Sequence, residues 1–126
     1  MFETLQHARD LLGGLAESRA VGALSGEDCV AVIHELGTIR RLVEALTADA
    51  AAKIEATDAH RPRGERSAAE TCANLLQVGP GPASDLLAAA RAAADDDRIE
   101  RAFRSGEVDA RTAAMIGATG RFAPDA

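Results

Sequence analysis

Apolar side chains recur at three- and four-residue steps along most of this chain, the period of helices that turn one face inward. Phe2, Leu5, Leu12 and Leu15, with Ala8 between them, predict an amphipathic helix from residue 2 to about 18, weakened in its middle by Gly13 and Gly14. A short Ala/Gly/Val connector leads to Ser25. Its side chain can cap the next helix three residues ahead of Asp28. The longest pattern follows. Cys29, Val32, Leu36, Ile39, Val43, Leu46 and Ala50 are spaced 3-4-3-4, the seam along which one helix lies on another. A helix from about Gly26 to Ala59 would be roughly 50 Å long, and Val30, Ile33 and Leu42 widen its apolar stripe. Such a seam closes either as a helical hairpin within residues 1–59 of one subunit or between two chains, as a coiled coil.

Residues 60–66 interrupt the pattern with Pro62 and Gly64 and form the one locally basic loop, carrying Arg61, Arg63 and Arg66. As a solvated linker it needs no partner; as a binding element those three arginines would contact phosphates. Short helices occupy residues 67–119. Ser67 and Glu70 make a full capping-box pattern for a helix ending near Val78, and Gly79 to Pro82 form a tight turn. Pro82 suits the first turn of the next helix, which carries Leu86, Leu87 and an alanine run to about Ala94. Asp95 to Asp97 can cap a fifth helix that Gly106 stops, and Asp109 a sixth over ARTAAMIGAT. The predicted fold is an all-α helical bundle with one long helix, a single domain overall.

The pair around the Gly/Pro turn has the spacing of a helix-turn-helix. Apolar residues fall at Cys72, Leu76, Val78, Ala83 and Leu86, Ala73 is the small residue at the helix crossing, and Gln77 stands where the turn usually has glycine. Base readout also needs donors on the outer face of the second helix and cations for phosphates. The outward positions would be Gly79, Pro80, Gly81, Ser84, Asp85 and Ala88, none of them basic. Farther on, Arg98, Arg101 and Arg104 follow Asp95, Asp97 and Glu100 by one helical turn, and Arg91 precedes Asp95 by one turn, so local pairing absorbs their charge.

Composition sharpens this picture. The chain has 126 residues with 47% hydrophobic content, but 29 are Ala, only three are Phe, and there is no Trp or Tyr. Alanine favours helix and buries little area, so the core should be shallow. The formal net charge of -6 argues against a general nucleic-acid or acidic-membrane binder. Cys29 and Cys72 occupy apolar helical positions without metal-ligand spacing, which suits small core residues in a reduced compartment. His7, His34 and His60 are scattered, and no stretch approaches a membrane span or a secretion signal. The expectation is a cytoplasmic protein with no catalytic residue, metal or cofactor, no membrane partner and no small-molecule substrate.

Three segments carry a family resemblance: LSGEDCVAVIHELGTIRRLVEAL, AHRPRGERSAAETCANLLQVGPGPASDLLAAAR and AFRSGEVDARTAAMI, spread over most of residues 24–119. In order and spacing they resemble the helical domain of unknown function that precedes the HNH nuclease module in many actinobacterial proteins, including mycobacterial repeat-element proteins. An aromatic often found near Thr71 and Cys72 in that family is missing here, and the turn is richer in proline. The resemblance implies a nuclease-associated accessory domain, and it implies that this chain stops inside the family domain, before any nuclease motif. Val108, Met115 and Ile116 would then lack packing partners and leave an apolar stripe around the last helix. Three functions follow as expectations. The leading one is a non-catalytic accessory or oligomerisation domain pairing through Val32, Leu36, Ile39, Val43 and Leu46. The others are a DNA-associated module using Arg61, Arg63 and Arg66, and the front part of an HNH endonuclease.

Overall fold

A computed structural model describes residues 1–120. These residues are all-helical, with no strand among them. The helices are α1 (Phe2–Ser18), α2 (Gly26–Thr57), α3 (Ala68–Leu76), α4 (Pro80–Asp95), α5 (Asp97–Arg104) and α6 (Ala110–Thr119), with 3-10 turns at Ala20–Ala23 and Arg61–Arg63.

Local chemistry sets most of these boundaries. The Ser25 hydroxyl accepts from the Asp28 N–H at 3.1 Å, Ser67 from Glu70 at 3.1 Å, Asp96 from Arg98 at 2.9 Å and Asp109 from Thr112 at 2.8 Å. Of the three aspartates read as a cap for α5, the middle one serves. The capping box at Ser67 works in one direction only, because the Glu70 carboxylate takes the Arg66 guanidinium at 3.1 Å instead. α2 ends at Thr57, two residues short of the expected Ala59, where Asp58 turns left-handed at φ 56°. α3 stops at Leu76 rather than Val78, because Gln77 adopts φ 58°. α4 begins at Pro80. Prolines at 80 and 82 both fit its first turn, where backbone N–H groups have no intrahelical acceptor to lose.

The chain divides into two compact units, Met1–Leu36 and a second from Gly37 onward, so the division falls inside α2 rather than at the basic loop. In the first unit no residue is buried, and Phe2, Leu5, Leu12 and Leu15 of α1 are all exposed. Within residues 1–36 a hairpin seam is therefore not closed.

The second unit packs around α4, which lies against α3, α5 and α6. Its core is built chiefly of alanine. Ala45, Ala48 and Ala51 of α2, Ala83, Ala89, Ala92 and Ala93 of α4, and Ala110 and Ala113 of α6 are buried, together with Leu86, Leu87, Ile99 and Phe103. Such small side chains contribute little area each but let helix axes approach closely, so backbone and Cβ atoms supply the dispersion contacts. Gly117 marks the tightest approach, since a Cβ built there would lie 2.5 Å from the Ala92 Cβ. Val108 and Ile116 are partly buried against this core, leaving Met115 as the exposed large residue of α6. The apolar stripe expected around the last helix is thus reduced to one side chain.

Polar links fix the C-terminal half of α2 to the rest of the unit. The Arg41 Nε donates to the Gly106 carbonyl at 2.5 Å, and the Glu44 carboxylate accepts from the Ala110 N–H at 2.7 Å. Arg104 reaches Asp49 at 2.7 and 2.9 Å, and Arg91 reaches Glu55 at 2.8 and 3.0 Å.

Gly117→Ala is expected to destabilise the protein by about 1–3 kcal/mol through overpacking against Ala92. Gly81→Ala on α4, where an added Cβ meets nothing within 4 Å, should cost nothing. Urea unfolding followed by far-ultraviolet circular dichroism compares the two; equal midpoints would contradict the close approach of α6 to α4.

Candidate functional site

Two surfaces carry the residues singled out by sequence: the outer face of α2 and the loop between α2 and α3. On α2 the helical pitch places Ile39, Val43 and Leu46 roughly 140–180° around the axis from the mean direction of the inward alanines Ala45, Ala48 and Ala51. The fold buries the smallest side chains of this helix and turns its largest ones outward. Leu36 is 46% exposed, Ile39 37%, Val43 52% and Leu46 48%, while Val32 is half-buried. Isolated exposed hydrophobes are ordinary; Ile39, Val43 and Leu46 stand out by their seam spacing along one helix.

The row runs into a groove of about 410 Å³, where Arg40 and Val43 of α2, Leu76 and Val78 beside the helix-turn-helix turn, Leu86 of α4 and Arg111 of α6 form much of the lining. Asp109 also borders it, but its carboxylate is occupied as the cap of α6. Hydrogen bonds from the Thr112 side chain and backbone hold that carboxyl below its ordinary range. The groove gathers no nucleophile with a base. Among the described residues no group of three or more His, Cys, Asp or Glu is placed to hold a metal ion.

In the loop, each of the three arginines read as phosphate contacts lies beside a carboxylate. Arg61 is 3.8 Å from Asp58, Arg63 2.6 Å from Glu65 and Arg66 3.1 Å from Glu70. Glu65 is the organising residue. Its carboxylate accepts from Arg63 Nε at 2.6 Å, Thr71 Oγ1 at 2.7 Å and Asn74 Nδ2 at 2.7 Å, tying the loop to α3. These bonds, Arg63 first, lower its carboxyl to about 2. His60 is buried at the start of the loop, and its carbonyl accepts from the Arg63 and Glu65 N–H groups. Neither Glu65 nor His60 stands out in the sequence: Thr71 and Asn74 lie six and nine residues beyond Glu65, outside the spacing that local pairing rules inspect, and His60 acts through its backbone carbonyl.

The α3–α4 pair has the shape of a helix-turn-helix, with Cys72, Ala83 and Leu86 buried between its helices and the rest of the unit and Gln77 left-handed at the turn. Burial raises the Cys72 thiol above its ordinary value, with the Glu65 charge adding to it. Cys29 is half-buried, and both cysteines are free. The outward positions Gly79, Pro80, Gly81 and Ser84 are exposed and Asp85 is half-buried, so the face offers one acid and no cation. Of the arginines beyond it, Arg104 keeps its expected partner Glu100 and adds Asp49. Arg98 pairs with Asp96, and Arg91 with Glu55 of α2. No helix among the described residues is long and apolar enough to cross a membrane.

Comparison of the chain with protein-family models, curated proteins and solved structures found no match.

The pH dependence of the loop follows from Glu65. Its carboxyl lies below the ordinary 4.5 in the folded chain, so its stabilisation is complete above that value and is lost as pH falls toward about 2. Glu65→Gln should therefore lower the melting temperature at neutral pH, with the gap to wild type closing between those two values. Melting curves over that acid range check it; a gap independent of pH would remove Glu65 from its anchoring role.

Proposed function

We propose that this chain is a non-catalytic helical accessory domain whose role is self-association through the outer face of α2. The observation that carries the reading is the row Ile39, Val43 and Leu46, exposed on the side of the helix turned away from the alanine face that packs within the second unit. A two-chain seam covers such a row with the facing row of another helix, removing from water side chains worth about 1.5–3 kcal/mol each when fully buried. The resemblance of residues 24–119 to the domain that precedes HNH nuclease modules supplies the accessory part of the reading. In that setting, pairing of the helical domains would position two nuclease modules carried elsewhere.

DNA contact through Arg61, Arg63 and Arg66 is the weaker alternative, because each of those guanidinium groups would have to leave a carboxylate before engaging a phosphate. An endonuclease reading would rest on residues outside this sequence.

Sedimentation velocity over a wide concentration range tests the proposal. The wild-type chain should move from monomer to a larger species as concentration rises, and Val43→Glu should weaken that association about a hundredfold by burying a carboxylate in the seam. A chain that stays monomeric throughout, or a variant that associates as the wild type does, overturns the reading. Fluorescence anisotropy of a labelled mixed-sequence duplex provides the complementary check. Binding at low salt that is lost on replacing the three loop arginines with alanine would favour the DNA-associated alternative.

A further inference from the structure

Nothing within Met1–Leu36 accounts for the folding of α1. A helix of 17 residues is marginal in water without packing, and this one has Gly13 and Gly14 in its interior and no side-chain cap at its start. No residue of α1 is buried. Val30 and Ile33, on the part of α2 that belongs to the same unit, are themselves 69% and 70% exposed and do not cover it. A unit below about 40 residues ordinarily holds together through a disulfide, a metal ion or association with another chain. Cys29 is the one cysteine among residues 1–36, and among the described residues no group of three or more His, Cys, Asp or Glu is placed to hold a metal ion. Association with another chain is the means that remains.

Helical pitch sorts the side chains of α1 by chemistry. At about 100° per residue, Leu5, Leu11, Leu12 and Leu15 fall within about 120° of arc, with Phe2 at one margin. Their exposure runs from 38% at Leu12 to 80% at Phe2, so the whole apolar face is open. Glu3, Asp10 and Glu17 recur every seven residues. That spacing puts the three acids within about 40° of one another and roughly opposite the leucines. Thr4 and Ser18 border the apolar face on one side and Ala16 and Arg9 on the other, and Arg9 lies 3.7 Å from Asp10.

This layout of charge selects the occupant. Residues 1–36 carry six acids against two arginines, a balance that an anionic membrane surface repels. A cationic partner helix would be drawn by acids at the borders of the apolar face, where charge sets partner choice, and α1 has none there. Two copies can close their leucine faces on each other with both acidic rows turned outward. The rows then stand two helix diameters apart, roughly 20 Å, well beyond the Debye length at physiological salt. We infer that α1 pairs with α1 of a second copy through Phe2, Leu5, Leu11, Leu12 and Leu15. The inference rests on the self-association reading for its partner and adds a surface separate from the outer face of α2, lying wholly within the first unit.

Amide hydrogen exchange read by mass spectrometry, with sedimentation equilibrium on the same full chain, tests it. In the wild type, α1 amides should exchange freely where the chain is monomeric and about tenfold or more slowly where it associates. Leu12→Glu should weaken association about a hundredfold and abolish that protection. Gln6→Glu, on the acidic side of α1, should change neither. Both sites are exposed in the single chain, so neither substitution removes a buried contact. An associated wild type whose α1 amides stay unprotected, or a Leu12→Glu variant that associates as the wild type does, overturns pairing through α1 and leaves self-association through α2 standing. Protection already complete in the monomer, or gained on phosphatidylcholine vesicles without association, overturns it in favour of cover from the chain itself or from lipid. A wild-type chain that stays monomeric throughout overturns both readings.

Discussion

Close approach of helix backbones across alanine is the constraint on which the second unit depends. With Ile99, Phe103, Leu86 and Leu87 as its main bulky buried residues, the core draws much of its cohesion from short Cβ and backbone contacts, closest between α4 and α6. Such contacts fall off steeply with distance, so the arrangement has little tolerance for an added methyl group. Gly117 facing Ala92 and Gly106 facing Thr38 and Leu42 are the places where that tolerance is smallest. Gly106 is doubly determined, since its φ of 78° also belongs to the region that favours glycine.

Smooth alanine faces leave a second requirement, because they offer few knobs to fix how far one helix slides along another. Polar links meet it here. Arg41 to the Gly106 carbonyl and Glu44 to the Ala110 N–H fasten α2 to the ends of α5 and α6, and Arg104 with Asp49 and Arg91 with Glu55 fasten it to α5 and α4. Pairs at a surface contribute at most about 1 kcal/mol each, but they discriminate among registers that alanine packing leaves nearly equal in energy. The same chemistry holds the basic loop, where Glu65 gathers Arg63, Thr71 and Asn74. Several arginines that suggest a nucleic-acid surface are thus engaged in fastening the fold.

How much of this was readable in advance follows from range. Caps at Ser25, Ser67 and Asp109 and the stop at Gly106 depend on residues within one helical turn, and the sequence marks them directly, whereas the left-handed turn at Gln77 ends α3 earlier than its apolar pattern suggests. The links from Arg91 to Glu55 and from Arg104 to Asp49 span 36 and 55 residues, so no local pattern announces them. The apolar row of α2 was legible from its 3-4 spacing, but the periodicity of large side chains carried no sign that the unit packs on the alanines of another face. The division inside α2 was not read in advance, although the second unit begins at Gly37 and glycine weakens a helix interior.

The two faces of α2 divide the work of one helix by side-chain size. Alanine fills the inward side, where Ala45, Ala48 and Ala51 are buried in the core, and Ile39, Val43 and Leu46 point away from it. Leu36, Ile39, Val43 and Leu46 therefore cannot serve the inward packing, and their exposure is not a failure of the core to close. A helix with only the alanine face to place would have no physical need for four large aliphatic residues on its other side, where polar residues would keep it better solvated. Their spacing is the ground on which pairing with another helix is proposed.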